Sequence, residues 1–348
     1  MAFRITTNGL FRSYGNSIRR SNLKVNDKME RVQTNRNFAS YAENPTAAAK
    51  AFRLRRDYWR TGDYVETSSY LVSKFETAWT AAGAIVNGDD NHTSLDGLYS
   101  AMYGISDTAA SGRRSLGIDL ISKADSIALS MNARYNGEYV FAGSDGLNVP
   151  YTWDGDTLLY RGVDVSAAPG TDDYKALQTM DGEVNFVNVG LGLEEDENQR
   201  VIPNSAVNAA ISGLDFLGYG TDEDGDPVNL AVILRQLGNI YRNCDPEKGD
   251  YASPEDRESA TRLLGKLQSA ITRVQEQHVE ISSRSSYVQT NMKQLQDSQF
   301  TLSEQIDELE HMDMAMAISE MMWAQYSYNA ALRVGNDILS ESLFDYMR

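Results

Sequence analysis

No proline occurs after Pro254, and the only glycines beyond it are Gly265 and Gly335. The run from Glu255 to about Glu310 is therefore predicted as a single helix, roughly 80 Å long at 1.5 Å per residue. Its start is marked by Ser253-Pro254-Glu255-Asp256: serine caps, proline occupies the first helical position, and the acids face the positive end of the helix dipole. A helix of this length needs partners along it, because tertiary packing rather than propensity holds most helices. The chain continues in the same texture, with Leu302, Ile306, Leu309, Met312, Met316, Trp323, Tyr326, Ala330 and Val334 following one another at intervals of three, four or seven.

The beginning of the chain offers a matching pattern. Leu10, Tyr14, Ile18, Val25, Met29 and Val32 fall close to one narrow helical stripe. The pattern breaks between Asn37 and Pro45, because proline fixes its own backbone and pushes Asn44 out of helical geometry. A second helix is predicted from Ala47 to about Val86, with the aromatics Phe52, Tyr58, Trp59, Tyr64, Tyr70, Phe75 and Trp79 along it, of which Trp59, Tyr64, Tyr70, Phe75 and Trp79 read as core. Asn87-Gly88-Asp89-Asp90-Asn91 reads as a loop, and a third helical stretch, interrupted by Gly104, Gly112 and Gly117, runs from about Ser94 to Arg134.

From Asn136 to Pro227 glycine, aspartate and short β-favouring runs replace the helical pattern. Residues 139–143, 157–161 and 184–189 are candidate strands, with turns at Asp154-Gly155-Asp156 and Asp181-Gly182. Between Ser144 and Val228 there are 17 acidic and 3 basic residues, so most of the whole-chain charge of −17 sits here. A helix over Asn229–Tyr241 then returns the chain to its α texture. The predicted fold class is mainly α with a β-rich insertion: an elongated antiparallel helical bundle or coiled coil formed by the N- and C-terminal parts, and a small β domain in the middle. The chain divides into five segments: an N-terminal assembly helix (1–45), the N-terminal part of a helical core (46–143), an acidic insertion (144–228), the C-terminal part of the core (229–312) and a C-terminal assembly helix (313–348).

Charge and composition restrict the function classes. A net charge of −17 opposes nucleic-acid binding, which requires clustered Lys and Arg to displace counterions. Cys244 is the sole cysteine, so no intramolecular disulfide can form, and it reads as a small packing residue. Residues 1–20 are polar, with no apolar run of the length that a cleaved signal peptide requires, and no stretch of about 18 apolar residues predicts a membrane span. The three histidines, His92, His278 and His311, lie far apart, and none has a second histidine at metal-ligand spacing. Asp222-Glu223-Asp224-Gly225-Asp226 has its glycine in the fourth position, not the sixth, and no closing glutamate, so it reads as an acidic turn rather than a calcium loop. Met312, Met314, Met316, Met321 and Met322 read as an adaptable seam. Neither a glycine-rich phosphate loop nor a Gly-x-Ser-x-Gly elbow is present, and no catalytic residues, metal ligands or cofactors are assigned. The chain reads as a structural protein and not an enzyme.

Specific blocks resemble the flagellin family. Arg4-Ile5-Thr6-Thr7-Asn8 is similar to its opening, and Val32 to Leu54, with Asn44-Pro45-Thr46-Ala47-Ala48-Ala49, is similar to the segment ending in a proline and an alanine-rich helix start. Here Glu43 and Asn44 stand where the family usually has two acids. Asn132-Ala133-Arg134-Tyr135-Asn136-Gly137-Glu138-Tyr139-Val140-Phe141-Ala142-Gly143 resembles the signature of the hook-associated protein 3 (FlgL-type) junction subgroup, as do Gln325-Tyr326-Ser327-Tyr328-Asn329-Ala330-Ala331-Leu332 and the ending Ser342-Leu343-Phe344-Asp345-Tyr346. The resemblance implies an extracellular subunit, exported unfolded by the flagellar type III apparatus without a cleaved signal and placed as a junction ring between hook and filament. Its implied partners are further copies of itself, the neighbouring hook-associated protein, flagellin and an export chaperone, with no nucleic acid and no membrane. The expected assembly interface consists of Leu10, Tyr14, Ile18, Val25, Met316, Trp323, Tyr326 and Leu343. Asp313-Met314-Ala315 resembles part of the flagellin C-terminal motif and keeps the filament subunit itself as the alternative. A third reading is a ligand-binding or enzymatic middle domain on a flagellin-like stalk.

Overall fold

The computed structural model describes residues 7–346 apart from 39, 41, 89–93, 109, 199, 203–204 and 246–248. The side chains of 7, 8, 10, 11, 103–111 and 337–346 also lie outside the description. By their contacts the described residues form two compact units, one of residues 1–62 with 296–348 and one of residues 63–295.

In the first unit, α1 (Thr7–Thr34) packs antiparallel against α9 (Met314–Tyr346): Tyr14 meets Ala331 while Lys28 meets Glu320. Six covered positions of α1, Tyr14, Ile18, Ser21, Val25, Lys28 and Val32, follow a three-four alternation, with Asp27 and Arg31 half-buried beside them. Asn37 then closes the end of α8 (Pro254–Glu310), its side-chain amide donating to the carbonyls of Leu309 and His311. α9 restarts at once because the Asp313 carboxylate accepts from the amides of Ala315 and Met316. The start of α2 (Pro45–Asn87) is set by Asn44, whose side chain accepts from the Ala47 amide ahead of a proline in the first turn. The Gly62 position of α2 is close-packed against Gln299 of α8.

The second unit holds one continuous buried cluster, drawn from helices and short strands alike. Here α3 (Leu95–Thr108) and α4 (Ala110–Ser130) occupy the predicted third helical stretch. α4 crosses α7 (Leu230–Arg242) antiparallel and at backbone distance, a Cβ added at Gly117 falling 2.8 Å from the carbonyl oxygen of Gly238. After α4 the chain turns at Asn136-Gly137, both with positive φ (52° and 88°), the signature of a tight hairpin turn between β1 (Arg134–Tyr135) and β2 (Glu138–Tyr139). Asn132 ties the end of α4 to the Tyr151 backbone by a two-way bridge, donating to its carbonyl and accepting from its amide.

β3 (Ala142–Gly143) pairs with the distant β9 (Ile211–Ser212), β4 (Tyr151–Asp154), β5 (Thr157–Tyr160) and β6 (Val163–Asp164) form an antiparallel meander, and β7 (Phe186–Val187) pairs with β8 (Val207–Asn208). Two helices in this region have no counterpart in the sequence pattern. α5 (Asp172–Asp181) is capped by Thr171 and led by two aspartates, and α6 (Gly213–Leu217) is capped by Ser212. Tyr151, Leu158, Tyr160 and Val165 of the meander share the buried cluster with Leu120 and Ile127 of α4, Leu234 of α7 and Leu267 of α8.

The fold is thus mainly α, with long N- and C-terminal helices packed antiparallel and a small central β region.

Candidate assembly surface

α9 carries two apolar faces. The covered one, towards α1, consists of Ala317, Met321, Ala324, Tyr328, Ala331 and Gly335, mostly small residues in three-four alternation. Tyr326 lies opposite that row and Trp323 and Met316 lie to one side of it at about 100° per residue, and Met316, Trp323 and Tyr326 are 62%, 70% and 71% exposed. Met322 and Val334 are exposed beside them. Trp323 and Tyr326 meet edge to face with ring centroids 6.4 Å apart, and together with Ser319 and Met322 they line an open depression. Contiguous exposure of large apolar side chains makes this face a candidate docking surface.

The structure therefore divides the expected interface residues. Tyr14, Ile18 and Val25 are half-buried in the α1 seam, within one copy of the chain. Met316, Trp323 and Tyr326 are outside that seam, and the side chains of Leu10 and Leu343 lie outside the described residues. The single stripe drawn from Leu302 to Val334 holds as far as Met312 and then changes face: Leu302, Ile306, Leu309 and Met312 are half-buried, while Met316, Ala330 and Val334 are exposed. Reading for large apolar residues missed the inner seam of α9. The signal was there in the heptad spacing of its small residues.

A second correction concerns α2. Phe75 is fully buried as expected, but Trp59 is 68% exposed, on one face with the exposed Phe52 seven residues before it, and Trp79 is nearly half exposed. The aromatics of this helix do not form one core row.

The other candidate groups are neutralised internally. Asp222, Asp224 and Asp226 bring a carboxylate oxygen each to one point, and the Lys266 ammonium sits on it, 2.6 Å from Asp222, 3.1 Å from Asp224 and 2.6 Å from Asp226. Arg262 adds a two-pronged contact to Asp226. The hydrogen bond from Lys266 holds Asp222 below the usual carboxylate range, and the one from Arg262 does the same for Asp226. His278 stacks on the Trp79 ring at 5.1 Å, and His311 pairs with Asp307 one helical turn away. His92 lies outside the described residues. Cys244 is buried directly after α7.

A group of carboxylates borders a cleft of about 130 Å³ lined by Asp181, Ser212, Asp215, Glu280 and Arg284. Ser212 donates to Asp181. Loss of solvent at its carboxyl end, and then the neighbouring Asp181, push Asp215 up to about 6, although the residue as a whole stays exposed. No helix among the described residues is long and apolar enough to cross a membrane.

No protein-family model matches the sequence, and no curated protein matches it closely enough to count. Solved structures do. A protein from Vibrio parahaemolyticus, provisionally assigned as a flagellar hook-associated protein, aligns with a TM-score of 0.56 at 15% identity over 77% of this chain and 100% of its own. FlgL of Bacillus cereus aligns at 0.42 and 13% identity over 73% of this chain and 99% of its own. FlgL of Xanthomonas campestris aligns at 0.39 and 11% over 75% and 98%. The structural neighbours of this chain are thus flagellar hook-associated protein structures, and the first of them shares its fold.

Proposed function

We propose that this chain is a structural, non-catalytic subunit of the bacterial flagellum, which assembles through its terminal helices and sits at the junction between hook and filament. The observation that carries the reading is the outer face of α9. Its large apolar residues Met316, Trp323 and Tyr326 are exposed while a row of smaller ones does the packing within the chain, an arrangement that leaves the costlier face free for a partner. Covering it returns about 25 cal/mol for each Å² of apolar surface removed from water. The shared fold and the sequence blocks at 132–143, 325–332 and 342–346 support the flagellar assignment.

On this reading the partners are further copies arranged in a ring, the adjoining hook-associated protein and flagellin, with a chaperone covering the outer face of α9 before export. The protein acts extracellularly, after export through the flagellar apparatus without a cleaved signal. Immunogold labelling of purified flagella tests it. Label at a single point between hook and filament supports the junction subunit, label along the filament makes the chain a filament flagellin, and absence of label from flagella removes the reading.

A further inference from the structure

The first compact unit is electrically divided. Up to Gly62 the chain carries 13 Lys and Arg against 4 Asp and Glu, whereas from Gln296 onward it carries 10 Asp and Glu against 2 Arg. Among the described residues two ion pairs join the two segments, Lys28–Glu320 and Arg55–Glu310. The remaining charge is gathered on outward faces. On α1, Arg12, Arg19, Arg20 and Leu23 are exposed and fall within about 100° of arc, roughly opposite the seam held by Tyr14, Ile18 and Val25. On α8, Asp297, Phe300, Glu304, Asp307 and Glu308 are exposed within a similar arc, opposite the half-buried Leu302, Ile306 and Leu309.

We infer that the basic face of α1 in one copy docks on the acidic face at the end of α8 in a second copy. This rests on the self-assembly proposed for the chain and specifies its contact. Three features fit the two faces together. Their charges are opposite, and within one copy none of Arg12, Arg19, Asp297, Glu304 and Glu308 makes an ion pair among the described residues. Arg12 to Leu23 and Asp297 to Glu308 each cover ~17 Å of helix. Each face also places one large apolar residue among its charges, Leu23 on α1 and Phe300 on α8. Because the two faces differ, the contact is heterologous: each copy keeps an unused basic face at one side and an unused acidic face at the other. Contacts of that kind close into rings or continue as helical arrays, whereas a self-complementary patch stops at a dimer.

The test uses the full chain with two charge-reversed variants, Arg12→Glu/Arg19→Glu/Arg20→Glu and Glu304→Lys/Asp307→Lys/Glu308→Lys. Sedimentation velocity over a concentration series at low ionic strength reads self-association. The unaltered chain associates, and the association falls as salt is raised past ~0.1 M, where charges more than about 10 Å apart are screened. Each variant alone associates at least roughly tenfold more weakly, since several modest ion pairs are lost together. An equimolar mixture of the two recovers association, because the acidic α1 face of the first pairs with the basic α8 face of the second, and the two intact faces pair with each other. Where a reversed variant melts below the unaltered chain, the milder replacements of the same residues by Gln read the same loss. Unaltered association in either variant, or a mixture that stays dissociated, overturns this contact and leaves self-assembly standing. An unaltered chain that stays monomeric throughout removes self-assembly and the contact with it.

Discussion

The hydroxyl of Tyr14 donates to the main-chain carbonyl of Ala331 at 3.0 Å, and its ring fills the space that a side chain on Gly335 would need. Two helices from opposite ends of the chain are locked by that one phenol. Gly335 is a rare glycine in this part of the sequence because any Cβ there would collide with the ring.

Replacing Gly335 by Ala should therefore eject Tyr14 and loosen the α1–α9 pair, although alanine is the better helix former. Overpacking of this kind costs about 1–3 kcal/mol, more than the ~1 kcal/mol gained in helix propensity. Hydrogen exchange of the amides in 14–32 and 317–335 should accelerate while those of α4 and α7 keep their protection. Equal protection at all sites would show that Tyr14 rotates away without consequence.

Trp323 and Tyr326 lie outside that seam, so Trp323→Ser with Tyr326→Ser should leave the melting temperature of the isolated chain close to the original. Exposed substitutions usually fall within about 0.5 kcal/mol. The same double variant should fail to incorporate into flagella in cells, with filament subunits leaking into the medium. A lowered melting temperature, or normal incorporation, would count against the outer face of α9 as an assembly surface.

At the α4–α7 crossing, a Cβ on Gly238 would press on Ile121 at 2.7 Å and on the Gly117 carbonyl at 2.8 Å. Neither backbone can retreat without opening the cluster around Leu120, Leu234 and Leu237. Gly238→Ala is expected to destabilise the chain by about 2–3 kcal/mol in denaturant melts, the upper range for an overpacked core. A change under ~0.5 kcal/mol would mean the helices can separate freely.

The Asp181–Asp215 pair gives a pH dependence of definite sign. Asp215 is raised from its ordinary 3.8 to about 6, first by desolvation and then by Asp181, so the folded chain holds a proton there that the unfolded chain has lost. Its contribution to stability is full below 3.8 and disappears as pH rises through about 6. Asp215→Asn should raise the melting temperature at pH 7 and leave it nearly unchanged at pH 4. A larger gain at pH 4 than at pH 7 would refute the assignment.

The sequence was legible where local chemistry leaves one choice. The breaks at Pro45 and Pro254, the cap at Ser253 and the proline-free run beyond it mark where α2 and α8 begin. The turn at Asp154-Gly155-Asp156 joins β4 and β5 as its residues imply. Short elements were harder. α5 and α6 have 10 and 5 residues, too few for periodicity to rise above the glycine and aspartate around them. β3 finds its partner in β9 some seventy residues on, and two-residue strands carry no pattern that points to a register.

What the sequence by itself determined is therefore the division into helical ends and a β-containing middle, and which residues share a face of each helix, because both derive from backbone chemistry and a period of 3.6. The tertiary structure alone decided which of two apolar faces on α9 is turned inward, which aromatics of α2 stay outside, and that Lys266 rather than solvent meets the three aspartates. Those choices depend on how near two backbones can come. Helix axes approach to 8–10 Å according to the side chains between them, so Ala317, Ala324, Ala331 and Gly335 admit α1 closely, while Trp323 and Tyr326 are left on the outer face.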